Sequence, residues 1–173
     1  MSFFRTSAAI GLALLVSACG FRPLFGTFND DSVATELSTI RIEPIRDRVG
    51  QQLHNELLDR LTPDGRPADV GYRLKIDVSE ASQGVAIDRA EFATRSSYRL
   101  TASYVLLEPP GEKALPSGRE LAVSSYNLLR SEYATLIAEQ DARSRAVEQI
   151  ANDIRTGLAL YFAKRRDERA AVP

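Results

Sequence analysis

VGYRLKIDVS, at residues 70–79, alternates apolar and polar side chains without a break. Since successive side chains of a strand point to opposite faces, this period-two pattern predicts a strand with one buried face and one face in water. Tyr72, Leu74 and Ile76 are expected inside, and Arg73 and Lys75 outside. A strand of this kind needs a covering layer on one side only.

The next segment continues the alternation. A turn is predicted at residues 82–84. After it, Arg95 and Arg99 point one way, and the even-numbered apolar side chains that point the other way are Phe92, Tyr98, Leu100, Ala102, Tyr104 and Leu106. The pattern therefore predicts a second long strand, antiparallel to the first.

Two further strands are predicted outside this pair. Upstream, Ile40 and Ile42 alternate with polar residues in a strand over residues 37–45. Downstream, the proline- and glycine-rich segment 108–118 predicts a loop before a strand over 119–129. The alternation of that strand breaks near residues 124–126, which we interpret as a bulge.

Two helices complete the pattern. Asp47 is expected to cap the first, which runs to about Leu61 with leucines at helical spacing. The second begins between Ala134 and Gln140 and ends near Lys164. The residues that make its end basic are Lys164, Arg165 and Arg166. Positive charge there can be explained by the negative end of the helix dipole or by contact with a membrane or phosphate, and the dipole is the simpler explanation.

The order strand, helix, strand, strand, strand, helix predicts an α+β fold. A crossover through the first helix makes the first two strands parallel, whereas the last three form a meander, so the sheet is mixed. We expect two helices packed on one face of a four-stranded sheet, with the other face open. The single domain would cover residues 37–165, followed by a flexible C-terminal tail at 166–173.

Composition excludes several function classes. The formal charge of −1 gives no basic footprint for nucleic acid. With one histidine, His54, and one cysteine, the chain has no metal-ligand pair and no catalytic triad, and His54 is expected to have a structural role. We therefore expect a protein that is not an enzyme and uses no cofactor or metal.

The N-terminus has the layout of a signal peptide at residues 1–18, with Arg5 before an uncharged apolar run. About nine apolar residues in a helix cover less than half of a hydrocarbon core roughly 30 Å thick, so the run cannot span a bilayer. Val16-Ser-Ala-Cys19 then resembles the lipobox of bacterial lipoproteins, in which the cysteine is acylated and becomes the new N-terminus. Residues 19–36 would form a lipidated tether.

The open face of the predicted sheet is locally basic. Strand parity places five cations there, against Glu43 and Asp77. A solvated charged face is the plain interpretation. The alternative is contact with anionic phosphates, whose oxygens suit the forked donors of guanidinium groups. A periplasmic lipoprotein can meet such phosphates in lipopolysaccharide. On that alternative the candidate lipopolysaccharide-binding residues are Arg41, Arg73, Lys75, Arg95 and Arg99.

The mature chain resembles the lipopolysaccharide-assembly lipoprotein family LptE in its alphaproteobacterial form. The residues that carry the resemblance are Cys19-Gly-Phe-Arg-Pro-Leu-Phe-Gly26, Ser124-Ser-Tyr-Asn127, Tyr133-Ala134, Asp141-Ala-Arg143, Ala151-Asn-Asp-Ile154 and Leu160-Tyr-Phe162. The resemblance implies two helices on a four-stranded sheet. It also implies an outer-membrane lipoprotein that plugs the barrel LptD, supports its assembly, and helps to bind lipopolysaccharide and deliver it to the outer leaflet.

One other function agrees with the same features. A lipid-anchored periplasmic binding module of another envelope lipid-transport machine could share the lipobox, the size and the mixed sheet. The two hypotheses differ in the partner, which is an outer-membrane barrel in the first case.

The lipobox interpretation makes a direct prediction. Replacing the only thiol, Cys19→Ala, should abolish labelling by radioactive palmitate and leave an uncleaved or unanchored precursor, because no acyl chain can be attached. Metabolic labelling followed by membrane fractionation measures both effects. Labelling that persists in Cys19→Ala would refute the interpretation.

Overall fold

The computed structural model describes residues 31–63, 65, 67, 69–87, 93–110 and 113–171. Cys19, the signal peptide and most of the predicted tether lie outside these residues. The described elements, in chain order, are α1 (Asp31–Ser38), β1 (Ile40–Ile42), α2 (Asp47–Leu61), β2 (Tyr72–Ile87), β3 (Ala93–Glu108), β4 (Lys113–Asn127) and α3 (Glu132–Ala170).

The sheet is mixed and four-stranded, as predicted, and the structure adds the strand order, which the sequence did not predict. Its strand order is β1-β2-β3-β4, with β1 parallel to β2 and the other pairs antiparallel. The α+β architecture and the mixed sheet are therefore confirmed. The parallel pair follows from α2, which connects β1 to β2 as a crossover.

The core lies on one face of the sheet, as the alternation predicts. Tyr72, Leu74 and Ile76 are buried while Lys75 and Asp77 are exposed. The remaining buried apolar residues of the strands are Ile40, Ile42, Tyr98, Leu100, Ala102, Tyr104, Leu106, Ala122 and Tyr126. Helix α3 contributes Ala142, Ala146, Val147, Ile150, Ala151, Ile154, Leu158, Ala159 and Phe162 to the same core. The helical layer therefore leaves the other face of the sheet open.

The first part of the domain differs from expectation in three places. Residues Asp31–Ser38 form α1, so the last residues of the predicted tether are helical and β1 has only three residues. Val33 and Leu37, one turn apart, are buried and give α1 its packing face. Asp47 does not cap α2: the N-cap is Arg46, and no side chain caps this helix.

The turn predicted at residues 82–84 was wrong. These residues pair with Ser96, Ser97 and Tyr98, and β2 continues to Ile87. Small polar residues can lie in an exposed ladder because the backbone groups, not the side chains, make the pairing bonds. The register shifts next to Gly84, where the missing side chain favours a bulge.

Strand β4 also differs from its prediction. It begins at Lys113, inside the predicted loop, and no bulge lies at residues 124–126, which pair regularly with β3. The register shift instead lies opposite Val105. The apolar alternation breaks at Ser124 because this inward side chain accepts a hydrogen bond of 3.2 Å from Arg145 Nε.

Helix α3 is longer than predicted at both ends. Ser131 caps it, with Oγ accepting a bond of 3.4 Å from the backbone N–H of Ala134. At the other end the helix runs to Ala170, so residues 166–170 of the predicted flexible tail are helical. The basic run beginning at Lys164 therefore lies inside the helix, and the dipole of a helix end does not explain it.

A glycine allows α3 to approach the sheet closely. A Cβ placed at Gly157 would lie 2.8 Å from Tyr104 Oη, nearer than such atoms approach in proteins. The ring cannot move away freely, since it covers Gly118 on the neighbouring strand, where a Cβ would lie 2.5 Å from the ring. Tyr104 therefore fills the space that two glycines leave.

We predict that Gly157→Ala has opposite effects in two backgrounds. Alanine normally stabilises a helix interior relative to glycine by about 1 kcal/mol, but beside Tyr104 overpacking should lower the free energy of unfolding by about 1–3 kcal/mol. With Tyr104→Phe, which removes Oη, the same substitution should be neutral or stabilising. Urea unfolding of the four proteins measures the difference. Equal stabilisation in both backgrounds would contradict the contact.

Candidate functional site

The open face of the sheet holds all five candidate cations. Arg41, Lys75, Arg95 and Arg99 are exposed, and Arg73 is half-buried. Each lies at an odd-numbered strand position, and the sequence neighbours whose burial the structure describes are buried, so strand parity correctly predicted the face on which these residues lie.

The five residues do not form one cluster. Arg41 pairs with Arg73, and Lys75 follows on the same strand, which defines a β1–β2 group. Arg95 and Arg99 form a β3 group, and Arg99 lies opposite Ala81. Since Lys75 and Ala81 are six residues apart on β2, the two groups are separated by about 20 Å along the strands. A small anion cannot contact both.

The two groups differ in their acidic neighbours. In the β1–β2 group, Arg73 Nη1 lies 3.9 Å from Glu43 Oε1. Within the part of the chain that the structure describes, Arg95 and Arg99 make no ion pair with a side chain. Their donors are therefore available to a ligand. Arg41 and Lys75 likewise make no ion pair among the described residues, so the β3 group is favoured because both of its cations are guanidinium groups, whose forked donors suit phosphate oxygens.

Sequence reasoning missed three residues of the open face. Arg119 pairs with Ser103 and is exposed, so it adds a cation between the two groups. Leu121 and Val123 follow on β4 and expose about half of their surface. These residues lie inside the strand predicted over 119–129, but the break in its alternation near residues 124–126 left the outward face of that strand unassigned.

Two similar clusters connect α3 to the inner face of the sheet. At one end, Tyr98 donates a hydrogen bond to Glu80, and Arg143 Nε donates another to the same carboxylate over 3.3 Å. The Arg143 guanidinium also lies 5.3 Å from the centre of the Tyr98 ring. Cation–π contact and hydrogen bonds therefore fix this end of the helix.

The second cluster lies at the other end of α3. Tyr72 donates to Glu36 over 2.8 Å, while Arg165 donates to Tyr72 Oη and to Glu108, each over 3.1 Å. Burial, and then the bond to Glu36, raise the pKa of Tyr72 to about 12. Burial, and then the hydrogen bond to Glu80, also raise the pKa of Tyr98 above its usual value. Both phenols stay protonated donors at neutral pH, so these clusters are structural.

The described residues offer no arrangement typical of catalysis. Among them, no group of three histidine, cysteine, aspartate or glutamate side chains could hold a metal ion. His54 is half-buried and lines a cavity of about 410 Å³ with Ile42 and Leu58. Over the same residues, no helix is long and apolar enough to cross a membrane.

The family model for LptE, described as lipopolysaccharide-assembly, matches residues 37–158, from α1 to the middle of α3. The chain belongs to the LptE family. The predicted resemblance is thus confirmed over most of the domain. It is a non-enzymatic family of lipopolysaccharide-assembly lipoproteins, and the chain is accordingly not an enzyme.

Two individual proteins are similar to this chain over most of its length. The uncharacterised protein RP188 of Rickettsia prowazekii is 27% identical over 154 residues, which cover 89% of this chain and 95% of that protein. The crystal structure of a candidate lipoprotein from Caulobacter crescentus has a TM-score of 0.64 and 25% identity, and covers 78% of this chain and 97% of that one.

A more distant structure shares the fold alone. Rare lipoprotein B from Shewanella oneidensis has a TM-score of 0.57 at 12% identity, covering 73% of this chain and 96% of that chain. Since so little sequence is shared, the arrangement of helices on the sheet is common to both proteins while individual surface residues are not transferable.

Proposed function

We propose that this protein is an outer-membrane lipoprotein that plugs the LptD barrel, supports its assembly, and helps to bind lipopolysaccharide and deliver it to the outer leaflet. Cys19 would carry the lipid anchor on the periplasmic side, ahead of the tether and the α+β domain. Membership of the LptE family is the single observation that carries the proposal.

The open face supports a binding role. Packing uses only one side of the sheet, so the outward side chains of three long strands are available to a partner. Arg95 and Arg99 present guanidinium groups there without acidic side-chain partners in the described part of the chain. Paired donors of this kind bind phosphate oxygens, which lipopolysaccharide carries.

Affinity purification tests the partner. A tagged full-length protein, extracted from membranes in mild detergent, should co-purify with a large outer-membrane barrel in equal amounts, because a plug occupies one barrel. Quantitative mass spectrometry of the eluate measures the ratio. Recovery with an inner-membrane transporter and no barrel would contradict the proposal and favour the other envelope machine.

Charge reversal tests the open face. Arg95→Glu with Arg99→Glu should weaken lipopolysaccharide binding by at least tenfold at low salt and by less at high salt, because salt screens interactions between exposed charges. The double variant Arg41→Glu with Lys75→Glu reverses the charge of the β1–β2 group. Its effect on lipopolysaccharide binding shows whether the binding surface extends along the face. Arg73→Glu is less informative, since it also removes the ion pair with Glu43.

The matched control is Arg48→Glu with Lys164→Glu, two exposed cations on α2 and α3, in the helical layer and not on the open face. This variant makes the same change in net charge and should bind as the wild type does. An equal loss in both double variants would mean that net charge alone matters. No loss in any variant would remove the open face from the mechanism.

A further inference from the structure

β4 lies at one edge of the sheet, where it has a described strand on one side only. It is the last strand in the order β1-β2-β3-β4 and has 15 residues, whereas β1 at the opposite edge has three. Backbone groups along an edge can pair with another strand, so proteins usually protect their edges with short strands, proline, lysine or irregular pairing.

Only the first half of β4 has this protection. It contains Lys113 and Pro116, and its register with β3 shifts between Ala114 and Ser117. Residues 119–127 pair with β3 without interruption and contain neither proline nor lysine. The second half of β4 is therefore a long, regular edge that these devices leave open.

The backbone groups of this half point to the free edge at every second residue. The carbonyl oxygen of Ser125 accepts a hydrogen bond of 3.2 Å from Arg145 Nη2, which shows that it faces the edge. Because alternate residues of an antiparallel strand direct their N–H and C=O groups to the same side, those of Leu121 and Val123 face the edge as well. Both residues leave about half of their surface exposed.

The side chains along the edge restrict which strand can be added. On the open face, the exposed Leu121 and Val123 favour apolar neighbours. On the inner face, Glu120 is half-buried and makes no ion pair with any described residue. Covering Glu120 without supplying a cation would be costly, so the added strand has to bring one.

We propose that the added strand is β4 of a second copy of this chain, in an antiparallel dimer with its two-fold axis at Ala122. In this register Leu121 lies opposite Val123 of the second copy, and Val123 lies opposite Leu121 of the second copy. The exposed apolar side chains of the two copies therefore cover one another, as an interface with two-fold symmetry requires.

The same register supplies the cation on the inner face. Glu120 lies opposite Ser124 of the second copy, and Ser124 Oγ accepts a hydrogen bond of 3.2 Å from Arg145 Nε of its own chain. Opposite side chains of an antiparallel pair are about 5 Å apart, so Arg145 of the second copy can reach Glu120. Arg145 also pairs with Asp141, and its five donors leave two for Glu120.

Other registers match less well. A two-fold axis at Glu120, for example, places the two Glu120 carboxylates opposite each other, which is destabilising. The dimer concerns the protein that is free of other partners. The inference goes beyond the proposed function and does not depend on it.

Charge reversal with rescue tests the register. The protein is residues 19–173 with Cys19→Ala, so that it carries neither an acyl chain nor a thiol. Sedimentation velocity over about a hundredfold range of concentration measures the dimer dissociation constant. Glu120→Arg and Arg145→Glu should each raise this constant by at least about tenfold, because like charges then face each other across the interface. An equal mixture of the two variants should restore the dimer, since the two introduced charges are opposite in sign.

A matched pair of variants tests the apolar contact. Leu121→Lys should raise the dissociation constant by about tenfold, because it replaces an apolar contact with a charge. Leu160→Lys should leave it unchanged, since Leu160 is similarly exposed but lies on α3. Circular dichroism checks that every variant is folded.

Three results would overturn the inference. The first is a wild-type protein that stays monomeric at every concentration. The second is a dimer that Glu120→Arg and Arg145→Glu each weaken but that their mixture does not restore. The third is an equal loss of dimer in Leu121→Lys and Leu160→Lys, which would place the contact elsewhere. A monomeric wild type that loses an outer-membrane partner only in Leu121→Lys would show that a strand of another protein occupies the edge.

Discussion

The domain depends on the packing of α3 against the inner face of the sheet. The helix has 39 residues and is about 58 Å long at about 1.5 Å per residue, so it extends along the full length of strands that measure about 50 Å. Arg143 and Arg165 lie about six turns apart, on the same side of the helix, and each binds a tyrosine and a glutamate of the layer that α3 covers. These polar clusters fix both the rotation of the helix and its position along the strands.

This packing determines where function can reside. Since the helices cover one face only, substitutions on the outward face cost little stability, and charges there keep most of their hydration. A ligand on this face would meet an extended surface whose outward side chains recur at set intervals along the strands. That geometry suits a large, multivalent ligand or partner better than a small substrate, which needs a concave site.

The sequence predicted the sheet and its two faces because period-two alternation is a local signal. Arg95 and Arg99 were placed on the open face by parity alone, and the structure agrees. Parity does not reveal neighbours across strands, because these depend on register and strand length. The separation of the cations into two groups, and the addition of Arg119, therefore required the structure.

The exposed apolar residues at the start of α3 show a different limit of sequence reading. Tyr133, Leu136 and Ile137 have the spacing of a core-facing stripe, so the sequence does not distinguish them from buried residues. In the structure the buried positions that follow in α3 begin with the alanines Ala142 and Ala146, and Ala138 is half-buried. The large apolar side chains are outside and the small ones inside, the reverse of a helix that packs on one core only.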